Sequence, residues 1–153
     1  MHGITAGRFI LTSLAAGVLG AIAMESTMAA IIRFGWARGS MIVALGSLVT
    51  KERSGAARVG ALLHTIAALV FAALYVLVMV LAGVSGLRAA LAAGAGLGFA
   101  HGMVVSLLLV WIIAERHPLA EFRDADLAIG LCHLAGHVAF GAVVGIVAGM
   151  ALP

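Results

Sequence analysis

The chain has 153 residues, of which nine are Lys or Arg and six are Asp or Glu, and 64% of it is hydrophobic. A soluble domain carries about 25% charged residues to coat its surface; here the share is 10% with a net charge of +3, and mean hydropathy is +1.22. A small soluble fold is excluded, and so is disorder, which needs low hydrophobicity.

The basic residues sit between apolar runs rather than in one patch. They read as membrane-flanking charges, and no nucleic-acid partner is indicated. Cys132 is the only cysteine, which leaves no internal disulfide and no multi-cysteine zinc or iron–sulfur site. At the start, MHGITAGRFILTSLAAG places one Arg before an apolar run that continues well past the core of a signal peptide. It is read as a retained first helix.

A helix crosses the hydrocarbon layer with about 20 mostly apolar residues. Four segments qualify, at about 9–32, 59–83, 89–114 and 127–151, within a single membrane domain spanning 1–153. Gly83-Val84-Ser85-Gly86 is a tight turn that folds the second and third spans into an antiparallel hairpin. Pro118 stops the third span. Asp124 and Asp126 precede the fourth, where a helix N-terminus favours acids. Residues 41–50, MIVALGSLVT, are too few to span and are expected as a short interfacial helix between the first and second spans. The expected fold is therefore an all-α, four-transmembrane-helix bundle.

Orientation follows from the charges. Arg33, Arg38, Lys51, Arg53, Arg58, Arg116 and Arg123 lie in the two longer connections, whereas only Arg8 and Arg88 lie on the other side. The positive-inside rule puts those connections in the cytoplasm of a bacterial inner membrane and both termini outside. Trp36 and Trp111 then fall at the cytoplasmic interface.

The informative residues are the polar ones inside the spans: Glu25, His64, His101, His133 and His137. Ionisable groups at that depth face the bundle interior or a wet cavity. Each sits beside a ridge of small residues, such as Gly94, Gly98 and Gly102, or Gly141, Gly145 and Gly149. Such ridges let helices approach closely, so all five groups are expected to point inward.

His133 and His137, at i and i+4, share a helix face. Glu25, His64, His133 and His137 form a candidate set for a transition metal. His64 with His133, or His101 with His137, form candidate axial pairs for haem b, and a metal or haem held there would serve a membrane redox complex. The same residues would serve a proton-coupled carrier as a titratable relay. The bland alternative is a structural accessory subunit, or a homo-oligomer, whose histidines only hydrogen-bond. His117, beside Pro118, reads as solvated or capping, and terminal His2 as uninformative. No HExxH, Walker or nucleophile-elbow pattern is present, so no enzyme class is indicated.

The second and fourth spans align on His64-x6-Phe71 and His133-x6-Phe140, a weak internal repeat. GITAG, ALGSLVT, VGALLH, AHG and GHVAFGAVVG, in that order, resemble a family of small four-helix bacterial membrane proteins. The resemblance implies the fold and carries no activity; Glu25 stands outside the pattern.

Overall fold

The computed structural model describes residues 4–151, and His2 lies outside them. Every regular element within them is helical: α1 (Ala6–Arg33), α2 (Met41–Thr50), α3 (Ala56–Leu81), α4 (Leu87–Leu108) and α5 (Leu127–Ala151). One π-helical turn, Leu109–Ile113, extends α4, and a short 3-10 turn, Ala120–Phe122, precedes α5. The four long helices are long and apolar enough to cross a membrane, and the stretch 41–50 is helical.

The ends are set by local chemistry. Thr5 caps α1 by accepting the Arg8 N–H at 3.3 Å, and Ser40 caps α2 through the Val43 N–H at 3.4 Å. Asp126 accepts the Ile129 N–H at 3.0 Å and so opens α5. Gly83 and Gly86 take φ of 65° and 79° in the turn after α3, a region that favours residues without a Cβ.

Helix α5 is the centre of the bundle, packed between α1 and α4, with α3 against α1 and also touching α5, and α2 lying on α3. The tightest seam is α4 on α5, where glycines meet backbone to backbone. A Cβ on Gly94 would sit 2.2 Å from the Gly141 carbonyl oxygen, and one on Gly98 would sit 2.3 Å from that of His137. Where such helices stand in lipid, the hydrophobic effect gives little drive to associate, and close contact of small residues supplies the attraction.

The α3–α4 hairpin is different. Its two helices touch sparingly and are bridged by side chains: Phe71 lies against His101 with ring centroids 4.0 Å apart, and the Tyr75 hydroxyl donates to the Leu97 carbonyl at 3.0 Å. The core proper, with Val76, Met79 and Val144 sealed from solvent, lies among α1, α3 and α5. Large apolar side chains cover the outside, among them Leu11 at 70% exposure and Leu81 at 77%. Such an exterior suits lipid and would aggregate in water.

Candidate functional site

The five polar residues within the long apolar helices do not form one centre. Glu25 and His64 meet across α1 and α3, with Oε1 and Nε2 3.3 Å apart but without hydrogen-bond alignment. The Glu25 side chain is 39% exposed, because it lines a shallow groove between α1, α3 and the start of α2. The expectation that it points inward is corrected: only its Oε1 atom is buried.

His133 and His137 each hydrogen-bond one turn back along α5. The Nδ1–H of His133 donates to the Ile129 carbonyl at 2.8 Å, and that of His137 to the His133 carbonyl at 2.7 Å. Carbonyls only accept, so both rings carry their proton on Nδ1. Beyond that they part. His137 sits edge-on to His101, with centroids 4.7 Å apart, whereas His133 joins the wall of a cavity.

These contacts give the metal and haem expectations no support. Among the described residues no three His, Cys, Asp or Glu side chains gather as metal ligands, so Glu25, His64, His133 and His137 do not form the expected set. The His101 and His137 rings touch directly, which leaves no room for a haem plane between them. His101 is instead held by Tyr75, whose hydroxyl lies 3.1 Å from Nδ1. Nor does the His64–His133 axial pairing receive support: His64 Nε2 lies against Glu25.

What tertiary packing builds instead is a cavity of about 370 Å³ at the end of the bundle that carries the two longer connections. Drug-sized ligand sites begin at roughly this volume and are mostly apolar with a few placed polar groups. Ile32 of α1, Leu45 and Leu48 of α2, Leu109 and Ile113 of the π turn, and Ile129 of α5 form its apolar wall. A π turn carries one extra residue per turn and recurs at functional sites; here it widens α4 beside the cavity.

The rim is charged and largely paired, the Asp124 carboxylate apart. Arg38 approaches the Asp126 carboxylate at 3.8 Å and donates to the Asp124 carbonyl at 3.0 Å, while Arg53 pairs with Glu121. Exposed pairs of this kind contribute little stability, but they leave the mouth without a large net charge.

His117 holds the cavity together. It is 2% exposed, which corrects the solvated one of the two expected readings, solvated or capping. Its Nδ1 accepts the Leu119 N–H at 3.1 Å, so its proton is on Nε2 and donates to the Ala44 carbonyl of α2 at 3.1 Å. Ser47, fully buried, bonds the Val43 carbonyl at 2.8 Å and lies 3.5 Å from the same Nε2. A histidine–proline pair gives no hint of this. The Gly46-Ser47 pair was the legible signal, since small residues on an apolar helix mark a close packing face.

No known family pattern, curated protein or solved structure matches the chain.

Proposed function

We propose that the chain is a membrane-embedded binding protein that holds one uncharged apolar small molecule in the cavity between α2, the π turn and the start of α5. The observation that carries this reading is the cavity itself: apolar walls drawn from four helical segments, a rim on which Arg38 and Glu121 are each paired, and a volume of about 370 Å³. A charged ligand would need a free counter-charge at depth, and the deep wall is aliphatic apart from Cys132 and His133.

The direct test is calorimetric titration of 1-methoxynaphthalene into the full chain in lipid nanodiscs. Saturable one-to-one binding is expected, and it is lost in Ala125→Trp, which plugs the mouth from a loop position. Absence of saturable binding, or binding indifferent to the plug, overturns the reading.

The same reading includes a multi-pass insertion in a bacterial inner membrane, with the cavity at the cytoplasmic end. Support comes from the seven of nine basic residues at that end and from Trp36 and Trp111, 71% and 72% exposed there. A periplasm-active reporter fused after the last residue should be active; a fusion active only in the cytoplasm reverses the orientation.

A further inference from the structure

We infer that the groove between α1, α3 and the start of α2 is a second binding site, where the Glu25 carboxylate takes the ammonium head of a single-chain lipophilic amine. The inference rests on the four-span insertion and not on the cavity, with which the groove shares no lining residue. Glu25 is the only acidic residue within the four long helices. It lines the groove with its side chain 39% exposed, and of its two carboxyl oxygens only Oε1 is buried. Oε2 is therefore open to an occupant.

A carboxylate facing lipid is costly without a cation beside it. Among the described residues no Lys or Arg pairs with Glu25, and His64, 3.3 Å from Oε1, is not aligned to donate. An ammonium group brings the missing charge and three N–H donors. The groove offers acceptors to match: Glu25 Oε2, the Ser26 hydroxyl, and Thr65 Oγ1, whose own proton goes to the Ala61 carbonyl at 2.8 Å. So shallow a groove holds one end of a molecule, and the rest lies outside it. Beside it the surface is apolar, with Ile22, Leu62 and Ile66 exposed, which suits an alkyl chain lying in lipid. Glu25 stands about 12 Å along α1 from its last residue, Arg33. That is below the level of lipid headgroups, so a phospholipid amine tied to its phosphate does not reach it, whereas a free amine does.

The test compares n-dodecylamine with n-dodecanol, its uncharged counterpart, on the full chain in nanodiscs. With partition into empty nanodiscs subtracted, one saturable equivalent of radiolabelled amine per chain is expected, and none of the alcohol. Glu25→Gln keeps the shape and removes the charge; it should bind the amine at least about tenfold more weakly, the worth of one charge-assisted hydrogen bond. Excess 1-methoxynaphthalene, the cavity probe, should not displace the amine. A second measurement needs no variant. With glutamate carboxyls labelled with ¹³C, a water-soluble paramagnetic ion broadens the exposed Glu52, Glu115 and Glu121 and leaves the Glu25 signal sharp. The amine should move that signal, and the alcohol should not.

Saturable binding of amine and alcohol alike, undiminished binding in Glu25→Gln, or a Glu25 signal that ignores the amine overturns the inference. Displacement of the amine by 1-methoxynaphthalene places it in the cavity and also overturns the groove site. An amine that never saturates while 1-methoxynaphthalene still binds one-to-one does the same and leaves the cavity reading intact.

Discussion

Replacing Gly141 with alanine is expected to cost the bundle about 3 kcal/mol or more, the upper end of overpacking penalties. The added Cβ would lie 2.2 Å from the Gly94 carbonyl oxygen and 2.9 Å from the Gly98 Cα. Both are backbone atoms, so no side-chain rotation relieves the clash; α4 and α5 must separate along the whole seam. Separation is costly in lipid because the dispersion contacts of the small-residue seam are what hold the helices.

The control is Gly96→Ala. Gly96 lies on the same helix α4, but a Cβ there meets nothing within 4 Å. That change should be neutral or slightly stabilising, since alanine favours a helix over glycine by up to about 1 kcal/mol. Reversible unfolding of both variants in mixed micelles measures the difference. Equal stability of the two would show that the glycine seam does not hold the bundle.

The second large effect is confined to α2. A Cβ on Gly46 would lie 1.8 Å from the Ala56 carbonyl oxygen, and one on Gly60 would lie 1.8 Å from that of Ile42. Gly46→Ala therefore lifts α2 off α3, while His117 alone retains it from the other side. With a penalty again near 3 kcal/mol, the detached state gains about a hundredfold in population.

Detachment opens the connection at Lys51, Glu52 and Arg53, which is already exposed. Trypsin should cut there far faster in the variant, while the melting of α1, α3, α4 and α5 changes little, as expected for local unfolding. Binding of 1-methoxynaphthalene should weaken in step, because Met41, Ala44, Leu45 and Leu48 form one wall of the cavity. Unchanged proteolysis would mean that α2 is held by something other than this close approach.

Much of the architecture follows from the sequence by itself. Four apolar runs of spanning length, the turn at Gly83 and Gly86, the stop near Pro118 and the short helix at 41–50 are properties of local stretches. A segment's length, hydropathy and turn residues are written in consecutive positions. The ridges around Gly94 and Gly141 were legible for the same reason, since a spacing of four on a helix defines one face.

The site was not legible, because it depends on which face meets which helix and at what depth. Sequence spacing placed His133 and His137 on one face of α5, yet packing sends one ring to His101 and the other to a cavity. Glu25 reads as an inward residue from its neighbours Gly17 and Ala21, but α2 does not cover it and its carboxyl stays part-exposed. His117 looked like a loop residue until α2 folded back over it. The cavity has no sequence signature at all, for its walls come from residues 28 to 133. An apolar residue in lipid gains no free energy from choosing one helix partner over another by hydrophobicity. That choice is made by shape, by backbone approach at glycine and by a few hydrogen bonds, and only the tertiary structure contains them.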